Sequence, residues 1–241
     1  MLKTTIFIST LLTVSLTVFS QDLKLKCGDK EIECQNGNKS HFEMVIHCPY
    51  EETDTLHLPQ IIKDNAKTYL IERVGIDFYT KLNYYSSQIV DFKKYKEIKK
   101  QKGWIRKRSD RRVKYAIQYY FIVQDSMRYY LLVVLDKDGN IISSDQLPNY
   151  KSNGQFDKII SVCDTKLIAE QDTLFSGKLL NISLEYLDSE NTFVWRVEKT
   201  SVEGTKPRET IHRFILINAV RGEIIKRETE TWTSVCEGNS F

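Results

Sequence analysis

The sequence predicts an α+β protein of two tandem small units, each a helix packed on an antiparallel meander sheet. Three observations carry this. Apolar residues recur at helical spacing in two stretches, residues 59–75 and 156–170. Each stretch is followed by runs rich in β-branched and aromatic residues. The connections between those runs are short and polar or glycine-bearing, which suits neighbouring antiparallel strands.

The chain opens with the signature of a removable export signal. Lys3 supplies a positive start, residues 4–19 form an apolar stretch interrupted by Thr and Ser, and Val18-Phe19-Ser20 places cleavage before Gln21. The stretch falls short of the roughly 20 apolar residues of a spanning helix. No cysteine stands at the cleavage point to take a lipid. The reading is a chain released into the bacterial periplasm or secreted.

Residues 21–58 read as a cysteine-containing extension or edge hairpin, with residues 42–47 as its only strand-like run. Residues 59–150 form the first unit. Pro59 suits the first turn of a helix, and Ile61, Ile62, Ala66, Tyr69, Leu70 and Val74 give it one apolar face, with Gly75 as the stop. Residues 115–123 and 129–135 form a hairpin around Gln124-Asp125-Ser126-Met127. A second turn, Asp136 to Asn140, uses Gly139 for its positive φ, and Ile141-Ile142 restarts a strand. An EF-hand is excluded, because the later acidic ligand and the glycine position are missing.

Residues 149–154 are polar and turn-rich and mark the boundary between units. The second unit spans residues 155–236. Its helix, residues 156–170, carries Ile159, Ile160, Cys163, Leu167 and Ile168 on one side, and four strand-like runs follow at 179–187, 193–202, 210–218 and 223–232. The two units echo each other: Leu132-Val133-Val134-Leu135 leading to Gly139-Asn140-Ile141-Ile142 parallels Phe214-Ile215-Leu216-Ile217 leading to Gly222-Glu223-Ile224-Ile225. Duplication and chance alternation both account for the match.

The second half resembles a PepSY domain, a small module of secreted-peptidase propeptides and bacterial envelope proteins. Phe193-Val194-Trp195-Arg196-Val197 and then Ile217-Asn218-Ala219-Val220-Arg221-Gly222-Glu223-Ile224-Ile225 carry the resemblance, over residues 157–232, with a fainter copy over 63–144. Asn218 stands where the family has Asp, and Arg221 where it has a small residue. The resemblance implies a PepSY or cystatin-like packing of helix on meander, with Gly222 at the turn. It also implies a non-catalytic binding or inhibitory role, possible targets including a peptidase.

Composition agrees with a folded chain. Of 241 residues, 41% are hydrophobic and 28% charged, with 10 Gly and 4 Pro, which excludes disordered, collagen-like and low-complexity classes. Charge is asymmetric. Residues 93–114 hold twelve Lys or Arg, among them Lys99, Lys100, Lys102, Arg106, Lys107, Arg108, Arg111 and Arg112, against Glu97 and Asp110. That local net of +10 within a total of +3 leaves −7 for the rest. Such a stretch suits an anionic glycan or lipid surface; as an ordinary feature it is a solvated helix end and loop. Export argues against nucleic acid as partner.

The five cysteines, Cys27, Cys34, Cys48, Cys163 and Cys236, are read as a disulfide set, since export favours disulfides and no Cys-x-x-Cys pair suggests zinc. Cys163 with Cys236 would bracket the second unit. Cys27 with Cys34 would close a small hairpin, and Cys34 with Cys48 is nearly as suitable. A second surface feature is the aromatic density of Tyr115, Tyr119, Tyr120, Phe121, Tyr129 and Tyr130, either a binding face or cross-strand pairs.

Catalytic constellations are missing from the sequence. His41, His47, His57 and His212 form no His-Glu-x-x-His, and neither a Gly-x-Ser-x-Gly elbow nor a phosphate-cradling glycine loop occurs. His47 and Cys48 are adjacent, which on a strand sends their side chains to opposite faces. The expectation is therefore a binding protein without cofactor, whose partner is another envelope or secreted protein. Docking on anionic lipid or polysaccharide is the first alternative, and an uncharacterised hydrolase the second.

Overall fold

The computed structural model describes residues 23–38, 50–53, 57–91, 93, 97, 113–175, 177–201 and 209–233. The export signal with its cleavage point at Ser20 and Gln21, residues 42–47, Cys48, Cys236 and most of the basic stretch lie outside them. The described chain is mixed α+β and mostly sheet, with two α-helices and two sheets. No described helix is long and apolar enough to cross a membrane.

The chain enters as a hairpin, β1 (Leu23–Cys27) and β2 (Lys30–Gln35), turning at Gly28 with φ 65°. This corrects the expectation that residues 42–47 hold the only strand-like run of the extension. Leu-Lys-Leu-Lys and Glu-Ile-Glu-Cys alternate with a strict period of two, which buries Leu25, Ile32 and Cys34 while the charges face water. A short strand, β3 (Tyr50–Thr53), follows.

Helix α1 (Gln60–Tyr79) starts just after Pro59, whose carbonyl accepts from the Ile62 and Lys63 amides, and buries Ile62, Ala66, Leu70, Val74 and Phe78, one residue per turn. Ile61, expected on that face, is 59% exposed. Gly75 is a kink rather than a stop: it takes φ 79°, ψ 161°, and the helix resumes to Tyr79. Next come β4 (Asn83–Val90), β5 (Tyr115–Gln124) and β6 (Met127–Leu135), which with β3 make an antiparallel sheet of order β3-β4-β5-β6. Met127, expected in the β5–β6 turn, is the fully buried first residue of β6, because Asp125 at φ 49° completes the reversal with Ser126 alone. Ile141-Ile142 does not restart a strand. Ile141 makes a single bridge to Leu135, and the Ile142 amide donates to the Val134 carbonyl at 2.8 Å.

Helix α2 (Val162–Gln171) starts later than expected because Ser161 caps it, accepting from the Asp164 amide at 3.1 Å. Val162, Thr165 and Ala169 form its buried face, and Leu167 is exposed. The meander β7 (Lys178–Leu187), β8 (Thr192–Ser201), β9 (Glu209–Asn218) and β10 (Ile224–Thr233) completes a six-stranded sheet of order β1-β2-β7-β8-β9-β10. All its pairs are antiparallel except β2 with β7.

One buried cluster spans both sheets and both helices. At its centre Phe193 of β8 lies 5.7 Å from Phe121 and 5.1 Å from Tyr129 of the other sheet, and Phe78 of α1 closes the group at 5.1 Å from Phe121. Trp195 is fully buried and donates from Nε1 to the Ile160 carbonyl at 3.2 Å. Gly37, just after β2, bridges to Tyr129 of β6, so residues 34–38 touch first one sheet and then the other. A Cβ at Gly37 would run into the Leu184 carbonyl and the Tyr129 ring. Residues 149–154 are bonded to both halves. The Tyr150 amide reaches the Arg73 carbonyl at 2.9 Å and the Asn149 amide the Asn191 Oδ1 at 2.8 Å.

Candidate functional site

The cysteines settle differently from every pairing the sequence suggested. Cys27 is bonded to Cys163, with Cα atoms 5.3 Å apart across a separation of 136 residues. Cys27 with Cys34 is excluded by register: in the β1–β2 hairpin Cys27 lies opposite Lys30 and Cys34 opposite Leu23, at opposite ends. Cys163 is taken by Cys27 and not by Cys236. Cys34 is a free, buried thiol whose pKa burial pushes up to about 12. The disulfide fits an oxidising compartment.

A tyrosine face stands on the side of the four-stranded sheet away from the core. Strand alternation sends Tyr115, Tyr119, Phe121 and Tyr129 to the core side and leaves Tyr120 and Tyr130, directly opposite each other, on the outer side. A register shift between Tyr84 and Ser86 brings Tyr85 beside them. The rings meet edge to face or tilted, with centroids 5.4 Å (Tyr85–Tyr130), 6.2 Å (Tyr85–Tyr120) and 6.0 Å (Tyr120–Tyr130) apart. Arg128 lies over Tyr120, its guanidinium 4.7 Å from the ring centroid, and opposite it Ile122 is exposed. Tyr85 is 51% exposed, whereas Tyr130 beneath it is buried. The sequence reading found Tyr120 and Tyr130 but not Tyr85, since β4 was hidden in the polar run Asn83 to Gln88. The Tyr84-Tyr85 pair was its only signal.

A second polar centre joins the halves. Arg73 of α1 pairs with Asp145 at 2.7 Å and donates to the Leu147 carbonyl at 2.6 Å and the Tyr186 hydroxyl at 2.8 Å. Tyr69 donates to Asp145 at 2.8 Å. Burial, and then that hydrogen bond, hold the Tyr69 hydroxyl well above its usual range. Asp145 thus accepts from two α1 side chains and fastens the helix to the segment after β6, while Arg73 extends the tie to Tyr186 near the end of β7.

At the end of α2 the buried Lys199 donates to the Ala169 and Phe175 carbonyls, the latter at 2.9 Å, and so caps the helix C-terminus. Burial lowers its pKa. Asp172 beside it is held by Arg227 at 2.9 Å and 3.3 Å, and that pairing keeps its carboxyl below the usual range.

Gly139 (φ 87°) and Gly222 (φ 72°) occupy the left-handed turn positions expected of them. Lys99, Lys100, Lys102, Arg106, Lys107, Arg108, Arg111 and Arg112 lie outside the described residues. Lys114, at the end of the stretch, donates to the Val90 carbonyl at 2.8 Å. Of the four histidines, His212 faces Glu198 through Nδ1 and His57 is exposed, while His41 and His47 lie outside the described residues. No group of three or more His, Cys, Asp or Glu is placed to hold a metal ion among the described residues. No family model matches the sequence, and no match was found among curated proteins or solved structures.

Proposed function

We propose that the chain is an exported, non-catalytic binding protein of the bacterial envelope that recognises another envelope or secreted protein and restrains it, the target class being a peptidase. The tyrosine face carries this reading. Tyr85 and the half-buried Tyr120, braced from beneath by the buried Tyr130 and flanked by Arg128 and the exposed Ile122, supply rigid amphipathic contact area of the kind that dominates the centres of protein interfaces. Export to the periplasm or medium is supported by the Cys27–Cys163 disulfide together with the signal-like residues 1–20. The peptidase part rests on the PepSY-like reading. Its support is that α1 precedes the meander β4-β5-β6 and α2 the meander β7-β8-β9-β10, a helix followed by antiparallel strands in each half.

The test is a pull-down from envelope and culture-fluid extracts with residues 21–241 as bait, washed at low and high salt, in parallel with a Tyr85→Ala, Tyr120→Ala double variant. The expected result is a discrete peptidase retained at high salt, slowed by the bait and lost with the variant. Anionic glycan or lipid released by salt would transfer the function to the basic stretch 93–114. A partner held equally by the double variant would show that the tyrosine face is not the binding surface.

A further inference from the structure

The six-stranded sheet is split along part of its length. β2 and β7 run in parallel side by side, yet only Cys34 with Ile182 and Gln35 with Ser183 are paired, although β2 begins at Lys30 and β7 at Lys178. Residues 30–33 and 177–180 instead line a cavity of about 660 Å³, which Lys166 and Glu170 of α2 and the buried Lys199 also border. Every second residue of a strand in an antiparallel pair turns its N–H and C=O away from that partner. Between Lys30 and Cys34, therefore, β2 offers backbone groups on its far side that no paired residue of β7 takes up. β7 is irregular at the same level: its register with β8 shifts between Leu179 and Asn181, leaving Leu180 as an extra residue in the cavity wall.

The walls have a definite chemistry. Glu31 and Glu33 are exposed on one face of β2, and Ile32 is buried on the other. Leu179 and Leu180 stand across from them. Three further groups of charge at the cavity are engaged internally: Lys166 with Glu170 at 3.4 Å, Asp172 with Arg227 at 2.9 Å, and Lys199 with two carbonyls, while Lys30 and Lys178, both exposed, stand at its rim. Among the described residues Glu31 pairs loosely with Lys24, at 3.9 Å and with both side chains more than half exposed. β1 shows which strand suits β2, because Lys24 and Lys26 lie opposite Glu33 and Glu31, and Leu25 opposite Ile32.

We infer that the split accepts an extended segment of a partner polypeptide in which basic and apolar residues alternate, added as a strand beside β2 on the side that β1 does not occupy. Main-chain hydrogen bonds supply the attachment, Glu31 and Glu33 select the basic residues, and Ile32 and Leu179 receive the apolar ones. This site lies in the other sheet from the tyrosine face and does not depend on it.

The experiment titrates the full chain into a fluorescein-labelled, end-capped hexapeptide of alternating leucine and lysine, with the leucine–glutamate counterpart as control. Amide hydrogen exchange is followed on the saturated complex. Expected are saturable binding of the leucine–lysine peptide alone and new protection at residues 30–33 and 178–180. A Glu31→Gln, Glu33→Gln double variant should bind about ten-fold more weakly, since it removes both opposite-charge cross-strand pairs. The Tyr85→Ala, Tyr120→Ala chain should bind the peptide unchanged. Absence of saturable binding, equal binding of the glutamate peptide, or protection confined to β10 would overturn the inference. Dimerisation of the free chain with the same amides protected would overturn it too, by assigning the split to a strand from a second copy.

Discussion

β6 and β9 run into the same kind of turn and leave it differently. After β6, Asp136 Oδ1 accepts from the amides of Asp138 and Asn140, both at 2.9 Å, before Gly139 and Asn140 return the chain. After β9, Asn218 Oδ1 accepts from the amides of Val220 and Arg221, both at 2.9 Å, and Gly222, donating its amide to the Asn218 carbonyl at 2.9 Å, returns the chain. From the second turn a ten-residue strand grows, β10; from the first, one bridge at Ile141. The cause lies in the residues beyond each turn. Ser143, Ser144, Asp145 and Gln146 lead to Pro148 and favour local side-chain bonding, whereas Thr229 and Thr231 alternate with charged residues in β10.

The outer edge of β6 is closed by other means. Asn36 Oδ1 accepts from the Arg128 amide at 2.8 Å, the Gly37 carbonyl from Tyr130 at 3.0 Å, Gln146 Oε1 from Leu132 at 2.9 Å and Ser143 Oγ from Val134 at 3.2 Å. An edge can thus be satisfied by a row of side chains or by a further strand. The second solution moves the open edge outward to β10, where Lys226, Glu228 and Glu230 stand along the strand.

The largest expected effect asks whether the halves are separable at all. Phe193→Ala should destabilise by about 4 kcal/mol and keep a single urea transition, because its ring packs on residues of the other sheet. Two transitions would mean that the halves fold apart. Next, Cys163→Ser should cost about 3 kcal/mol by freeing the β1–β2 hairpin from α2, read as a lower urea midpoint. Arg227→Leu should cost about 2 kcal/mol at pH 7 by leaving the buried Asp172 carboxylate unpaired. The sign with pH comes from the lowered pKa of Asp172. Its contribution is complete above the ordinary carboxylate value of 3.8 and is lost as pH falls through the lower folded value, so wild type and variant should converge in acid.

The two edges should then part company. Gln146→Leu should cost about 1.5 kcal/mol, since it strips a partner from the Leu132 backbone. Lys226→Val with Glu230→Val on β10 should change stability by no more than about 0.5 kcal/mol, yet light scattering should show the chain associating. Equal behaviour of the two variants would erase the distinction.

Much of this was legible in the residues, and the losses have identifiable causes. The β7–β10 meander was readable because its runs are long, apolar and divided by short connections. β1, β2 and β4 were not, since Lys24, Lys26, Glu31, Glu33 and Asn83 to Gln88 look like polar loop until alternation is weighed above polarity. The turn glycines were readable from local geometry alone. Tyr85 and the Cys27–Cys163 bond were not, because each depends on which distant strand becomes a neighbour, and no local spacing encodes that.

The crossing at residues 34–38 also imposes an order in time. Gln35 pairs with Ser183 and Gly37 with Tyr129, so the opening hairpin has no place to settle until both later strands exist. A chain made or exported from its N-terminus therefore delivers Cys27 136 residues before Cys163. During that interval the first cysteine must avoid capture by Cys34, and closure of so distant a contact is slow. The last event of folding would then be the docking of the β1–β2 hairpin.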